Sequence, residues 1–363
     1  MNEILRVEHL KKYFVKKSVL GTVTSTVRAA DDVSFSLGRG EVFVLAGESG
    51  SGKSTIAKMI LGSVRPDSGR IIFEGAESGR GQKDIMRRIR MSCQMVHQDP
   101  YDSINPRMRV SDIITEPLEI HGTYNTKRER AARVKEVLGE VRLEPAGEIA
   151  AKYPHVLSGG QRQRVVLARA LALRPKVIIA DEPVSMLDVS IRAEMLELMR
   201  ELQAKHGISF IYITHDLATA RHFGQRVGIL YRGRIVEMGE IDKVLFSPQH
   251  PYTQALTDAI SEPDPDNVRR KKTIRIVGDG RGISLLQDGT RGSSFPSPGR
   301  LNAETRGGCR FAPRCPYVMD ACSIEPDLVE KSPGHQAACH ADIAADAAAA
   351  ANQGGADPRR QQQ

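Results

Sequence analysis

The stretch Gly47–Thr55, GESGSGKST, constrains the fold of this chain more than any other part of the sequence. It follows the apolar run Val42–Ala46 and precedes a helix-like segment that Gly62 is placed to end. Glycines let backbone amides curve around an anion, and a helix start adds favourable partial charge. The order therefore predicts a buried strand, a phosphate-binding loop and a helix. The candidate nucleotide-binding residues of this loop are Gly47, Glu48, Ser49, Gly50, Ser51, Gly52, Lys53, Ser54 and Thr55.

Two acidic residues supply what a phosphate loop needs for chemistry. Lys53 would reach the β- and γ-phosphates as a point charge, and the Ser54 hydroxyl would ligate Mg²⁺. The stretch VIIADEP places Asp181 and Glu182 after an apolar run, at the strand end where ligands collect in open α/β sheets. We expect Asp181 to hold Mg²⁺, directly or through water, and Glu182 to orient the attacking water as general base.

A second stretch, LSGGQRQRVVLARAL, has the features of another anion-binding device. A Ser-Gly-Gly turn opens onto an apolar-periodic helix from Leu157 to Leu171, and the first N–H groups of such a helix are unpaired. This turn lies 105 residues beyond Lys53, counted to Ser158. Any functional interpretation must therefore explain why one chain carries two phosphate-binding segments.

The general class of the chain follows from its alternating pattern. KVIIADEP and ISFIYITHD are typical of buried parallel strands, and their alternation with helical segments predicts a layered α/β domain. No apolar run approaches the roughly 18 residues of a membrane span, and the first residues lack a signal core, so we expect a cytoplasmic chain. The net charge of +8 is diffuse, which favours a solvated surface over a specific nucleic-acid partner.

Taken together, these residues resemble the ATP-binding subunits of ABC transporters over about residues 5–260. LSGGQ looks like the family signature, Gln98 in VHQDP matches the Q-loop, and SMLD, ending at Asp188, matches the D-loop. His215 in ITHD matches the switch histidine. Tyr13 in LKKYF stands where the family places an aromatic ring against adenine.

The resemblance implies a phosphate-loop ATPase fold and explains the two devices. The fold is an α/β nucleotide-binding domain with a mixed, largely parallel sheet, an antiparallel β subdomain and a helical subdomain at about 98–160. In the family, two such domains sandwich ATP, so one chain's signature faces the γ-phosphate on the other. Gln98 would contact Mg²⁺ and water, and would act in catalysis with Glu182 and His215. The implied signature contacts are Ser158, Gly159, Gly160 and Gln161.

Two further stretches, HQDPYDSINPRM and SPQHPYTQAL, resemble the oligopeptide/dipeptide/nickel importer subfamily. That resemblance implies an ATPase that powers peptide uptake from the cytoplasmic face of the membrane, where the chain is peripheral. Its partners would be two permease subunits, a second ATPase (a paralogue or a second copy) and, indirectly, an external substrate-binding protein. Oligosaccharide or nickel import, and an ABC ATPase outside transport, are the alternatives.

After residue 258 the sequence becomes loop-like in composition, and it contains four of the five cysteines. We assign 1–258 to the nucleotide-binding domain, 259–340 to a small C-terminal domain and 341–363 to a disordered tail. The subfamily resemblance implies a [4Fe–4S] cluster, while zinc or free buried thiols remain alternatives and His335 or His340 could replace a ligand. The four cysteines concerned are Cys309, Cys315, Cys322 and Cys339.

Overall fold

A computed structural model describes most of the chain, and two of the predicted segments fall outside it. The tail at 341–363, apart from its first three residues, lies outside the described residues, as does nearly all of the C-terminal domain before residue 307. The described residues are 3–18, 23–78, 83–259 and 307–343.

The described residues form alternating strands and helices, in two compact units. One unit comprises residues 1–226 with 232–234, and the other comprises 227–231 with the residues from 235 onward. The strands are β1 (Glu3–Lys17), β2 (Val23–Gly38), β3 (Val42–Ala46), β4 (Ser68–Phe73), β5 (Ala76–Ser78), β6 (Cys93–Val96), β7 (Val177–Asp181), β8 (Ser209–Thr214), β9 (Arg226–Tyr231), β10 (Arg234–Glu240), β11 (Val329–Ser332) and β12 (His335–Ala337).

The helices are mostly short, and none in the described part of the chain has the length and hydropathy to cross a bilayer. They are α1 (Lys53–Ile60), α2 (Lys83–Ser92), α3 (Pro100–Ser103), α4 (Val110–His121), α5 (Lys127–Glu140), α6 (Ala146–Ala151), α7 (Gly159–Leu171), α8 (Val189–His206), α9 (Leu217–Phe223), α10 (Ile241–Phe246) and α11 (Pro251–Asp258).

A buried parallel sheet forms the centre of the first unit. Its strands run in the order β3-β8-β7-β6, and each neighbouring pair is parallel. Strands β3 and β8 are buried along their whole length, which explains their continuous apolar runs. The prediction of buried parallel strands is confirmed. Because the strands are parallel, the residues that follow β3, β6, β7 and β8 meet at one edge of the sheet.

The same unit contains an antiparallel sheet and a group of helices. The antiparallel sheet has the order β2-β1-β4-β5. Helices α3 to α7 pack on one another; α3 to α6 lie within the range 98–160 predicted to form the helical subdomain, and α7 extends beyond it to Leu171. Thr126 begins α5 with a capping box: its side chain accepts from the backbone of Glu129, whose carboxylate accepts from the backbone of Thr126. Local sequence thus fixes where this helix starts.

The second unit is built around a cluster of aromatic rings. Phe311 packs against Tyr231 and Tyr252, with ring centroids 5.4 and 5.6 Å away, and all three side chains are buried. His250 adds a fourth ring at 5.7 Å from Phe311. Strand β12 pairs with β10 on one side and β11 on the other. Apolar burial of this kind is the main stabilising term for a small region with little other core.

A buried carboxylate joins three segments of this unit. Glu237 is fully buried; its Oε1 lies 2.6 Å from Nε2 of His335 and accepts from the backbone of Gln249, while Oε2 accepts from the backbone of His250. His250 also caps α11 by accepting from the N–H of Tyr252. Burial lowers the pKa of His250 to about 3, so this ring is neutral and acts as an acceptor. The HPY sequence, His250 to Tyr252, therefore has a structural role: it starts α11 and binds this helix to Glu237 of β10.

The described residues do not show the metal-centred cluster that the sequence resemblance implied at the four cysteines. Across the described ranges, no three or more His, Cys, Asp or Glu side chains are placed to hold a metal ion. Of the two candidate substitutes, His335 is held by Glu237 and His340 by a backbone carbonyl. The predicted cluster at Cys309, Cys315, Cys322 and Cys339 is therefore not supported.

Replacing Phe311 with Ala should destabilise the described C-terminal segment, residues 307–343. Removing a buried aromatic ring costs about 3 kcal/mol or more, because the surrounding side chains close the cavity only in part. Amide hydrogen exchange across 307–343 should accelerate strongly. Met319 offers a matched control, since its side chain is exposed; Met319→Ala should change exchange little. Equal protection in both variants would contradict the aromatic cluster as the source of stability.

Candidate nucleotide site

The predicted phosphate loop connects β3 to α1, as the sequence pattern requires. Lys53 is buried, and its Nζ donates to the carbonyl of Gly47 at 2.7 Å and to that of Glu48 at 2.9 Å. Burial lowers the pKa of Lys53, while the carboxylates of Glu182 and Asp181 oppose that shift. The side-chain nitrogen of Lys53 is therefore held inside the loop by two carbonyl oxygens, which a phosphate would replace as its partner.

Two segments distant in sequence support the loop. Gly52 has φ +111°, and a Cβ there would lie 1.9 Å from the carbonyl oxygen of Ala29, so no other residue fits without backbone movement. On the other side, the N–H of Gly233 donates to the carbonyl of Ser51 at 2.8 Å. Sequence analysis missed both supports, because no local pattern marks a contact between such distant residues.

The predicted magnesium ligands are brought together at the strand edge. The side chain of Ser54, at the start of α1, is hydrogen-bonded to Asp181 at the end of β7. Burial raises the pKa of Asp181, and the hydrogen bond to Ser54 and the charge of Lys53 lower it. A hydroxyl and a carboxylate side by side are oxygen ligands of the type that Mg²⁺ prefers. These residues therefore fit the predicted ion.

The predicted general base and switch histidine are in contact. Nδ1 of His215 lies 3.0 Å from Oε1 of Glu182. Glu182 follows β7 with φ +48°, which is unusual for a residue with a side chain, and its N–H donates to the carbonyl of Ile213 in β8. The backbone at Glu182 is thus held in a costly conformation by its bond to β8. Such strain is typical of functional positions.

Gln98 lies at the same edge of the sheet. Strands β6 and β7 pair with Val96 opposite Ala180, so the residues that follow each strand are neighbours in register. The side chain of Gln98 is exposed, and the backbone carbonyl of the preceding His97 accepts from Nε2 of Gln163 in α7 at 3.3 Å. The loop that carries Gln98 is therefore bonded to the helix that carries the signature.

The signature residues form the start of α7. Ser158 accepts from the N–H of Gln161, and the Gln161 side chain accepts from the N–H of Ser158, which makes a capping box. Because the cap leaves other first-turn N–H groups unpaired, the exposed turn suits an anion. A Cβ on Gly160 would lie 2.8 Å from Cγ2 of Ile191, so α8 approaches this turn closely. Gly159 is exposed beside it.

The opposite end of α7 is held by a residue that sequence analysis missed. Arg133 of α5 is buried and donates to the carbonyls of Leu171 and Ala172, at 2.6 and 3.1 Å. Its guanidinium also pairs with Glu136 at 2.9 Å. These carbonyls lack partners inside the helix, and a cation there complements the helix dipole. An arginine among the apolar positions of α5 was the only available signal.

The predicted D-loop precedes α8, and two of its residues, Met186 and Asp188, are exposed. Asp188 stands at the N-cap position of this helix. On either side of it, Met186 and Val189 are 64% and 80% exposed. Apolar side chains that are this exposed, next to a functional loop, favour contact with another protein surface.

Tyr13 lies on β1, opposite Arg28 of β2. Its hydroxyl donates to Oδ1 of Asp31 at 2.5 Å, and the guanidinium carbon of Arg28 is 5.7 Å from the ring centroid. The ring is half-buried. The sequence suggested Tyr13 as the adenine contact but gave no sign of the two residues that hold it.

Comparison with known protein families gives two matches. Residues 30–185 match the ABC transporter family, and residues 236–322 match the oligopeptide/dipeptide transporter C-terminal region. The first covers the phosphate loop and the strand end with Asp181. The second covers most of β10, from Val236 onward, and the HPY sequence at the start of α11.

Curated relatives match nearly the whole chain. The "Probable peptide ABC transporter ATP-binding protein y4tS" of Sinorhizobium fredii is 42% identical, over 96% of this chain and 92% of that protein. The "Oligopeptide transport ATP-binding protein AppF" of Bacillus subtilis is 39% identical, over 93% of this chain and 97% of that protein.

A solved structure of the ATP-binding cassette MJ0796, dimeric and bound to ADP and Pi in a post-hydrolysis state, is also similar. It shares 27% identity and a TM-score of 0.57, over 66% of this chain and 99% of that one. This similarity confirms the phosphate-loop ATPase fold that the sequence predicted. With the identity to the curated relatives, it shows that the chain belongs to the family of ABC transporter ATP-binding proteins, in the branch with the oligopeptide/dipeptide C-terminal region.

Proposed function

We propose that this chain is the ATP-binding and ATP-hydrolysing subunit of an importer that takes up peptides through a separate membrane permease. The observation that carries the proposal is the edge of the parallel sheet. There Lys53 interacts electrostatically with the carboxylates of Asp181 and Glu182. Ser54 is hydrogen-bonded to Asp181, and His215 is in contact with Glu182. Relatives that are 39–42% identical carry peptide transport in their names, which supports the substrate class.

The phosphate loop holds the nucleotide. Its backbone amides surround the β-phosphate, and Lys53 leaves the carbonyls of Gly47 and Glu48 to contact the β- and γ-phosphates. Ser54 and Asp181, with Gln98 nearby, would hold Mg²⁺. When bound, that ion neutralises charge on the phosphate oxygens.

Hydrolysis depends on Glu182 and His215. Glu182 accepts a hydrogen bond from the attacking water and takes its proton, and His215 fixes the carboxylate through the contact of 3.0 Å. The two neighbouring carboxylates have different partners: Asp181 is bonded to Ser54, and Glu182 contacts His215. One carboxylate therefore serves the metal and the other serves the water.

The ATP site is completed by a second ATPase subunit, which is either a second copy of this chain or a paralogue. The exposed turn of Ser158, Gly159 and Gly160 presents N–H groups that fit a γ-phosphate bound on the other chain. The exposed apolar side chains of Met186 and Val189 support a protein partner beside the D-loop at Asp188. Loss of the γ-phosphate removes negative charge from this interface and lets the chains separate.

The nucleotide state reaches the permease through α7 and the loop that carries Gln98. Gln163 and Arg169 of α7 bond the carbonyls of His97 and Ser103, at 3.3 and 2.6 Å. Movement of the signature therefore moves this loop and the helices beside it. We place the chain on the cytoplasmic face of the membrane, bound to two permease subunits. An external binding protein would deliver the cargo.

Peptides are the proposed cargo, and oligosaccharides or nickel are the alternatives in this branch. An ABC ATPase outside transport is disfavoured by relatives named for peptide transport. An iron–sulfur or zinc centre at the four cysteines stays a prediction of the sequence, and no step above uses it.

Glu182→Gln should preserve ATP binding and lower the turnover number by about 100-fold or more, because the amide cannot accept the proton of water. ATP-bound dimers should accumulate in size-exclusion chromatography with light scattering. Glu201→Gln is the matched control, since Glu201 forms an exposed ion pair with Arg142 and should hydrolyse ATP normally. Normal turnover by Glu182→Gln would remove that residue from its role.

Ser158→Arg should block hydrolysis while the isolated chain binds ATP as before, because the signature acts on nucleotide held by the partner. Calorimetry measures the affinity of the isolated chain for ATP, and phosphate release measures turnover. Ser63→Arg adds the same bulk and charge at another exposed position and should retain turnover. A large loss of affinity in the isolated chain would mean that the signature contacts its own nucleotide.

A further inference from the structure

We propose that Asp31 and Arg28 are positioning residues that fix the ring of Tyr13 for stacking against the base of the nucleotide. The inference rests on the proposed function and adds to it the residues that organise the base contact. The residues lie on two paired strands, β1 and β2, where Tyr13 is opposite Arg28.

The hydroxyl of Tyr13 is anchored by a buried charge. It donates to Oδ1 of Asp31 at 2.5 Å, and Asp31 is 7% exposed. A hydrogen bond to an ionised acceptor is stronger than a neutral one, and low exposure to solvent strengthens it further. Arg28 lies 3.5 Å from Oδ2 of the same carboxylate and 5.7 Å from the centroid of the ring. The ring is thus held at its edge and along one face.

The anchor is continuous with the phosphate loop. The N–H of Asp31 donates to the carbonyl of Gly233 at 2.8 Å, and the N–H of Gly233 donates to the carbonyl of Ser51 at 2.8 Å. Two backbone hydrogen bonds therefore connect the residue that holds the ring to the loop that holds the phosphates. The residues that contact the base and those that contact the phosphates are thus connected by the same backbone hydrogen bonds, and the ring is positioned before the nucleotide binds.

This arrangement predicts which step is affected. Stacking of a base on an aromatic ring tolerates any base, since each has a π-face, but it requires the two planes to lie parallel. A ring that is already oriented loses less conformational freedom on binding. Loss of Asp31 should therefore weaken binding of ATP and GTP by the same factor and leave the turnover number at saturating ATP unchanged.

The test compares two ligands on the full chain: ATP, and inorganic tripolyphosphate, which has no base. In calorimetry with Mg²⁺ present, Asp31→Ala should weaken ATP binding about fivefold, the low end of what base stacking contributes. Tripolyphosphate should bind as it does to the unmodified chain, within about twofold. The unchanged tripolyphosphate affinity also shows that the variant is folded around its phosphate loop.

Three further variants isolate the contact. In a Tyr13→Ala background, Asp31→Ala should cause no additional loss, because the residue acts through the ring. Asp31→Asn keeps an oxygen that can accept from the phenol and should recover most of the affinity. Asp32→Ala is the matched control; Asp32 is the next residue, is more exposed and pairs with His9 at 2.8 Å, so ATP binding should be normal.

The inference is overturned if Asp31→Ala binds ATP normally, if tripolyphosphate binding falls by the same factor as ATP binding, or if the loss persists without the ring of Tyr13. Failure of the proposed function itself is distinguishable. The unmodified chain would then bind neither ATP nor tripolyphosphate.

Discussion

The contact between the backbone of Gly52 and the carbonyl of Ala29 is the constraint on which the candidate site depends. It leaves no room for a side chain at the start of α1, and with the bond from Gly233 to Ser51 it clamps the phosphate loop from two sides. A loop that binds anions through backbone amides has to be rigid, because free amides would otherwise turn toward their own carbonyls. The antiparallel sheet that carries Ala29 thus serves the nucleotide site as well as its own core.

Helix α7 links the parts of the site that must change together. Its first turn presents the signature, its middle bonds the loop that carries Gln98 through Gln163, and its last carbonyls are capped by Arg133. Each bond is made by a side chain to a backbone carbonyl, so it restrains position and leaves the local fold unchanged. The helix therefore holds the signature and the loop in a fixed relation to each other. In the proposed function, this relation allows a change of charge at the signature to be passed to the loop that carries Gln98.

The described part of the C-terminal unit has a source of stability that the sequence did not suggest. Four cysteines in a short segment favoured a metal centre, yet the described residues are organised by Phe311, its neighbouring rings and the buried pair of Glu237 with His335. Spacing along a sequence limits which residues can approach one another, but whether several donors converge on one point depends on the fold around them. The same fold makes His250 a neutral cap inside that core.

The sequence by itself determined the phosphate loop, the buried strands before it and before Asp181, and the capped signature helix. These features are local: they depend on glycine, on apolar periodicity and on caps within a few residues. Only the tertiary structure decided that Ala29 and Gly233 support the loop, that Arg133 closes α7 and that Asp31 holds Tyr13. Each of those contacts joins residues far apart in the chain, and their distances are set by packing, which leaves no mark in a local pattern.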